Sequence, residues 1–414
     1  MGSSMVRSFF ILFLLCAGAA HATTPAHAQS PADASVQECL RLTDKPLDRS
    51  EEAAYLKSLK IWQETCQQAL AANGNDPRIK FALSRVLWLT QGRAAALPLL
   101  REAAAQNDTE ALLALFNDFN SFDRVELNKP QLISRAEAEK ALRRAVDLGN
   151  REAMWRLAII LDRGGPLKHD PAAARHWGER ALAKLPKDLP ANEAQVVVGH
   201  WLSKSDNATE RKRGTEMLEA LAKTDRGDAQ AYLAVAIRKS DPVRARTLLE
   251  TALKTDPGPA LAPLSDMLIK GEGGPQDEKR ALALLQGPSA ANAQQAKALL
   301  GQLTLEGRLV PRDVAEAVKL LGPWSQWDYD TRLQIVRLLA ENPNVRLTYP
   351  NHFLFTATED AELNEPGAMD ALIALKLSAN IQFKDKVGAC ELVERAAKAR
   401  NAVAATHLAE CRAK

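Results

Sequence analysis

The chain is poor in aromatic residues and in net charge. Phe, Trp and Tyr make up 5% of its 414 residues although 46% are hydrophobic, and 54 basic residues face 51 acidic ones. A low aromatic content suits helices that approach closely through small side chains better than it suits a sheet sandwich. A net charge of +3, spread along the chain, argues against a nucleic-acid-binding protein.

The sequence also lacks the motifs of common catalytic sites. It contains no Gly-x-Ser-x-Gly, no phosphate-binding loop and no His-Glu-x-x-His. The histidines of the expected mature chain stand in no recognisable arrangement with a nucleophile and an acid. The glycine-rich stretch Gly271 to Gly274 does not follow a strand pattern, which disfavours nucleotide binding. We therefore predict no enzyme activity, no cofactor and no metal, with a hydrolase as the least favoured alternative.

Long apolar runs are absent except at the N-terminus. The run Phe9 to Ala20 follows a basic residue and precedes two small-x-small cleavage patterns, the second ending at Ala28. We interpret residues 1–28 as a signal peptide, which predicts a mature chain that starts near Gln29 and lies in the periplasm. No later segment reaches about eighteen apolar residues, so we expect no transmembrane segment in the mature chain.

Cysteines are few, and their number is informative. Removing the signal peptide, with Cys16, leaves an even count in an exported protein, which favours disulfides over free thiols. Cys16 itself lacks the small preceding residue of a lipid-anchored cysteine. The remaining four are Cys39, Cys66, Cys390 and Cys411.

Two cysteine pairs follow from the predicted helices. Cys390 and Cys411 lie symmetrically about a turn near residues 400–401, between helices expected at 385–399 and 402–413, so they face each other across an antiparallel hairpin. A metal site formed with His407 is the alternative, and it has only three ligands. Cys39 and Cys66 lie in two predicted helices, and a bond between them would fix the N-terminal end.

What the chain does have is a small, recurring pattern. From Ala136 to Leu182, small and apolar residues return every three to four positions on both sides of Gly149-Asn150, which predicts two amphipathic helices and a short turn. Gly164-Gly165-Pro166 then ends the second helix. The Asp170 carboxylate can accept the free backbone N–H groups of the next helix as its N-cap.

This stretch resembles a Sel1-like repeat, a relative of the tetratricopeptide repeat, and Asp76 to Ala105 resembles a tetratricopeptide-like hairpin. The resemblance implies an all-α fold, an α-α superhelical solenoid of helical hairpins that binds another protein. Trp155 and Trp177 stand where the pattern has large residues, and we expect both to pack in the core. The residues that carry the resemblance are Ala145, Gly149, Ala153, Leu157, Gly164, Asp170, Ala174 and Trp177.

Aspartates recur with the period of the unit, at intervals of 36, 35, 36, 36 and 72 residues, and such a period is typical of a solenoid. We predict that they cap helices, that Gly271 and Gly307 end helices, and that Ala281 and Ala317 let helices approach closely. The copy after the second aspartate has its small residue, Gly214, four positions late, which predicts an insertion at 207–211. The candidate caps are Asp170, Asp206, Asp241, Asp277, Asp313 and Asp385.

The register fails once, where Tyr349 stands in place of an aspartate. Two prolines and a run of aromatic and β-branched residues surround it, and they predict an extended insertion at 343–366 instead of a helix. Its aromatic side chains either line a groove or cover the flank of the solenoid. Two tryptophans after Gly322-Pro323 either bind a partner or cap the local core. The candidate partner-binding residues are Trp324, Trp327, Tyr349, Phe353 and Phe355.

These patterns divide the chain and suggest a role. We predict a scaffold that binds another envelope protein in cell-envelope assembly, polysaccharide secretion or signalling, as the resemblance implies. A carbohydrate-binding accessory of exopolysaccharide export is the alternative hypothesis. The predicted segments are a signal peptide (1–28), an N-terminal helical cap (29–75), tetratricopeptide-like helices (76–135), Sel1-like repeats (136–342), the insertion (343–366) and a C-terminal repeat and cap (367–414).

Overall fold

The part of the chain that the structure describes is helical throughout. The structure is a computed structural model that describes residues 31–44, 52–73, 75–119, 132–164, 167–184, 193–325 and 328–398, with 407, 408 and 411. Within these ranges it contains α-helices and one 3₁₀-helix and no strand. The predicted signal peptide and most of the predicted helix 402–413 lie outside the described residues.

The chain divides into two compact units, residues 1–99 and 100–414, and each is described by itself. In the first unit one apolar core joins side chains from the first three helices, among them Cys39, Trp62 and Val86. The predicted cap 29–75 therefore packs as one body with the helix after it. The helices up to the boundary are α1 (Pro31–Asp44), α2 (Glu52–Ala72), α3 (Pro77–Gln91) and α4 (Arg93–Ala105).

The second unit is a stack of antiparallel helices. Its helices are α5 (Thr109–Phe119), α6 (Arg135–Asp147), α7 (Arg151–Arg163), α8 (Pro171–Ala183), α9 (Glu193–Ser203), α10 (Ala208–Ala222), α11 (Gly227–Ile237), α12 (Pro242–Thr255), α13 (Pro257–Lys270), α14 (Glu278–Gln286), α15 (Gln294–Glu306), α16 (Val314–Ser325), α17 (Tyr329–Glu341), α18 (Pro350–Glu362), α19 (Ala368–Leu377) and α20 (Lys386–Lys398), with the 3₁₀-helix Pro288–Asn292 after α14. This is the predicted all-α solenoid.

Five of the six aspartates cap a helix as their period predicts. Each accepts a hydrogen bond from a backbone N–H three residues later, at 2.9 to 3.0 Å. The alanine four residues after each of them is fully buried, so the cap and the close helix contact recur together. Gly271 and Gly307 end α13 and α15 in the left-handed conformation.

The prediction for Asp206 is wrong by one residue. Asn207 caps α10, because its side chain accepts from the backbone N–H groups of Thr209 and Glu210. Buried Ser205 holds the turn by bonding both Glu210 and the Asn207 N–H. Residues 208–211 form an extra first turn of α10, which agrees with the predicted insertion.

The predicted extended insertion at 343–366 is also wrong for most of its length. Residues 343–349 are irregular, but Pro350 starts the helix α18, which runs to Glu362. Proline lacks only an N–H that has no partner in the first turn of a helix, so it begins α18 instead of breaking it.

Both predicted cysteine pairs are disulfides. Cys39 and Cys66 join α1 to α2 with an S–S distance of 2.03 Å, and Cys390 of α20 bonds Cys411. The Nε2 atom of His407 lies 3.1 Å from a carboxylate oxygen of Asp370.

Candidate interaction site on the inner helices

The helices of the second unit form two layers. Within the stack α7–α16 the tight hairpins are α7 with α8, α9 with α10, α11 with α12 and α15 with α16. The helices α9, α11, α13 and α15 also pack against one another along the stack, whereas α10, α12, α14 and α16 meet chiefly their hairpin partners and neighbours in the first layer. Successive helices are closer on the inside of a curved stack, so α7, α9, α11, α13 and α15 form its inner layer.

One side chain stripe on each inner helix faces solvent, because the opposite stripe packs against the outer layer. Tyr232 and Val235 of α11 are partly exposed, while Leu233 and Ala234 beside them are buried. The same alternation holds on α7 and α9. We call the partly exposed apolar and aromatic set of these three helices the inner band: Trp155, Ile159, Val197, His200, Tyr232 and Val235.

Aromatic rings connect the inner band from helix to helix. The Trp155 ring of α7 lies 5.6 Å from that of Trp201 on α9, and the His200 ring of α9 lies 4.3 Å from that of Tyr232 on α11. Stacked rings hold one another's orientation, so they present a fixed surface. The predicted core tryptophans Trp155 and Trp177 are thus only partly buried.

Burial is the main cause of the pKa shifts of the ionisable groups around the inner band. Burial lowers the pKa of His200 to about 3, helped by the positive charge of Lys204, so this imidazole is neutral at pH 7. Burial raises the pKa of Asp162, against a hydrogen bond from the Trp201 indole, and lowers the pKa of Arg163 to about 10. Buried ionisable groups therefore lie next to the aromatic rings of the inner band.

Charges border the inner band on its two long sides. Acidic residues lie at the N-terminal ends of the inner helices and lysines at their C-terminal ends, each sign favoured by the helix dipole. A groove of about 530 Å³ opens on the lysine side, lined by Arg238, Lys239, Pro242, Lys270, Glu272 and Gly273. The acidic side comprises Glu152, Glu193 and Asp228, and the lysine side Lys204, Lys239 and Lys270. Three of these charges are paired locally, Glu152 with Arg156, Asp228 with Arg226 and Lys270 with Asp266.

This arrangement suits recognition of a polypeptide. A partly exposed aromatic centre between two charged borders can accept apolar side chains and orient their flanking charges. Among the described residues no group of three or more His, Cys, Asp or Glu side chains could hold a metal ion. His200 stacks on Tyr232, and its buried Nδ1 meets no hydrogen-bond partner.

The structure disperses the residues predicted to bind a partner. Phe353 is buried against Phe383, and the partly exposed Phe355 has its ring centroid 6.1 Å from that of Phe119. Tyr349 is 54% exposed at the start of α18. Trp327 and the side chain of Trp324 lie outside the described residues. Phe353 therefore does not line an open groove, whereas partner binding by Phe355 and Tyr349 stays a prediction.

Sequence reasoning missed the inner band. Its members recur on every second helix, but aromatic and aliphatic residues on a repeat helix are the expected content of a core. Two facts together could have identified it. Tyr232 and Val235 alternate with buried neighbours on α11, and α11 belongs to the inner layer.

The repeat pattern itself matches a family model. The Sel1 repeat model matches residues 151–184, 259–286 and 294–323, which are the hairpins α7–α8, most of α13–α14 and α15–α16. The chain carries Sel1 repeats. Their matched segments begin at the inner helix and end in the outer one, so each Sel1 repeat here supplies one inner and one outer helix.

Solved structures of similar proteins are more distant. A Sel1 repeat protein from Oxalobacter formigenes is 19% identical, covers 84% of this chain and 95% of its own, and has a TM-score of 0.36. A protective antigen of uropathogenic Escherichia coli strains that displays an SLR fold is 16% identical, covers 89% of this chain and 76% of its own, and has a TM-score of 0.39. Among curated proteins none matches the chain significantly.

Within the described residues no helix combines the length and apolar content that a membrane span needs.

Proposed function

We propose that this chain is an exported, periplasmic scaffold that binds another protein of the cell envelope through the inner band. Sel1 repeats commonly mediate protein–protein interaction, and the observation that carries the proposal is the partly exposed aromatic band between charged borders on α7, α9 and α11. The process served is envelope assembly, polysaccharide secretion or signalling. The export step is supported by the apolar run and cleavage patterns within residues 1–28.

Photo-crosslinking tests the interaction with a matched pair of valines. Val235 lies in the inner band, 37% exposed, and Val243 lies on the outer helix α12, 64% exposed. A photoreactive residue at 235 should join the chain to one discrete envelope protein in the cell that makes it. The same residue at 243 should not. Equal crosslinking from both positions, or crosslinking from 243 alone, would contradict the inner band as the binding surface.

The location has its own test. Cell fractionation should recover the chain in the periplasm, and N-terminal sequencing should find a start near Gln29. A chain recovered in the cytosol with its first residues intact would refute export while leaving the crosslinking result to stand by itself.

The carbohydrate alternative gains no support from the described residues. A sugar-binding platform needs aromatic rings that offer an open face. Of the three described aromatics predicted for it, Phe353 and Phe355 are packed against other rings, and only Tyr349 is exposed.

A further inference from the structure

Two distant parts of the second unit meet in a small set of contacts, which we call the seam. The Phe119 ring at the end of α5 lies 6.1 Å from the Phe355 ring of α18. Arg135, the first residue of α6, bonds Glu359 at 2.7 Å and Glu362 at 2.5 Å. These residues are more than two hundred positions apart in the chain, so the stack turns far enough for its last helices to contact its first.

A third contact extends the seam to the turn before α8. The backbone N–H of His169 donates to a carboxylate oxygen of Glu365 at 2.8 Å. Among the described residues, the seam thus includes a ring contact, an ion pair cluster and a backbone hydrogen bond. Polar interfaces of this kind within a chain resemble transient protein–protein contacts, for which relative motion is the default expectation.

The seam is also incompletely bonded. Arg135 Nε and Glu359 Oε2 are buried and have no hydrogen-bond partner among the described residues. Burial raises the pKa of Glu359, although the nearby Arg135 opposes the shift. Burial offsets part of the gain from pairing these charges, although the two carboxylates still raise the pKa of Arg135 against its burial.

Helix α18 is fixed to its own side of the seam. Its other face, with Phe353, Ala357 and Ala361, lies in one apolar core with α17, α19 and α20. Separation at the seam therefore moves α18 together with its neighbours and leaves their core intact. The parts that separate are α17–α20 on one side and α5–α7 with the turn at His169 on the other.

We propose that the seam is a reversible closure whose three contacts break together, so that the second unit exchanges between a closed and an open form. The inference rests on the proposed function only for its biological purpose: opening would widen the access of a partner protein to the inner band.

The backbone N–H of His169 reports on closure directly. The sequence contains seven histidines, so selective ¹⁵N-histidine labelling of the full chain gives few amide signals and allows the exchange rate of this one to be followed. Arg135→Gln removes a different contact of the seam. If the contacts break together, this variant should raise the exchange rate of the His169 amide by about tenfold, and Arg135→Lys should raise it less.

The matched control is Glu250→Gln, which removes an equally short ion pair with Arg280 between neighbouring outer helices, at 2.5 Å. It should leave the His169 amide within about twofold of the unaltered chain. The proposal is overturned if Arg135→Gln has no larger effect than the control, because the contacts would then be independent.

A measurement on the unaltered chain covers the case in which Arg135→Gln fails to fold. Exchange of the His169 amide should proceed through local opening, at a rate that low urea does not change. A rate that rises with urea as steeply as that of the buried core amides of α11 would mean that the seam opens only on global unfolding, which overturns the proposal. No partner enters either experiment, so their failure leaves the crosslinking test of the proposed function unaffected.

Discussion

The helices α11–α15 and the segment α17–α20 both have an apolar core but differ in the polar groups that are buried with it. In α11–α15 the core is a continuous set of mainly alanine, leucine and isoleucine side chains, and the Arg280–Glu250 ion pair lies at the surface. In α17–α20 the Arg332–Asp360 ion pair is buried, and the side-chain amide of Asn380 bonds the backbone oxygens of Leu339 and Val345.

The difference shows what a regular repeat provides. Where the unit recurs intact, small residues at fixed positions let each helix fit its neighbour, so shape alone specifies the packing. Where the 36-residue register breaks at Tyr349, an irregular stretch replaces that fit, and buried polar groups specify the path of the chain instead. Such groups are costly to bury and therefore sensitive to the loss of a partner.

The largest effect that would sharpen this comparison is the loss of the Asp360 carboxylate. Arg332 is 1% exposed and bonds Asp360 at 2.5 and 2.9 Å. Asp360→Ala would leave the guanidinium buried without its carboxylate partner, so we expect urea denaturation to show a loss of about 3–5 kcal/mol. Glu250→Ala, at the surface pair of the regular hairpins, should cost less than about 1 kcal/mol.

A double change separates pairing from packing at the same place. Replacing both Arg332→Met and Asp360→Leu removes both charges, so much of the lost stability should return. Equal costs for Asp360→Ala and Glu250→Ala would break the comparison, because the two regions would then respond alike to the loss of an ion pair.

The next prediction tests whether steric fit specifies the packing of the regular helices. A Cβ on Gly214 of α10 would lie 2.4 Å from the backbone nitrogen of Ser203 and 2.6 Å from the carbonyl oxygen of Gly199. Backbone atoms cannot yield easily, so Gly214→Ala should destabilise the chain by about 1–3 kcal/mol in urea denaturation. Around the Cβ position of Gly322 in α16, no atom of the described residues lies within 4 Å. Gly322→Ala should be neutral or stabilising by about 0.5 kcal/mol, and equal losses in the two variants would contradict the argument.

The sequence could predict features that arise within one repeat but not those that depend on how many repeats stack together. The caps, the buried alanines and the glycines that end α13 and α15 are local signals within one repeat, so the fold and its period could be predicted from them. The inner band and the seam depend on curvature, which accumulates from small rotations between repeats and leaves no mark on any single unit. Pro350 misled the interpretation because proline disfavours a helix interior but favours its first residue.

Acid should weaken the chain through one buried histidine in the regular stack, on α9, and one in the segment α17–α20. Burial lowers the pKa of His200 on α9 to about 3, and burial with the nearby Arg332 charge lowers that of His352 on α18 to about 4. A base with a lowered folded-state pKa contributes stability above its unfolded value of about 6.5, and this contribution is lost as the pH falls towards the folded value. Between pH 7 and pH 5 each histidine should cost on the order of 2 kcal/mol.

Single substitutions show which histidine causes the loss of stability between pH 7 and pH 5. His200→Gln and His352→Gln should each flatten the pH dependence of urea denaturation between pH 7 and pH 5. Glu359 and Asp360, whose pKa values burial raises, act in the opposite sense, so the slope of each variant is compared with that of the unaltered chain. A variant with an unchanged slope would show that its histidine is not buried in the neutral form.

The smallest effect concerns the helix caps, where the regular part of the stack departs from its own period. Asn207→Ala should cost about 1 kcal/mol, because the side chain accepts from two backbone N–H groups that otherwise lose their partner. Asp206→Ala, one residue earlier and exposed, should change the urea midpoint little, whereas Asp277→Ala should match Asn207→Ala since its carboxylate accepts from the Arg280 N–H at 2.9 Å. A loss at Asp206 as large as at Asp277 would restore the strict 36-residue period, and the extra turn of α10 would then need another cause.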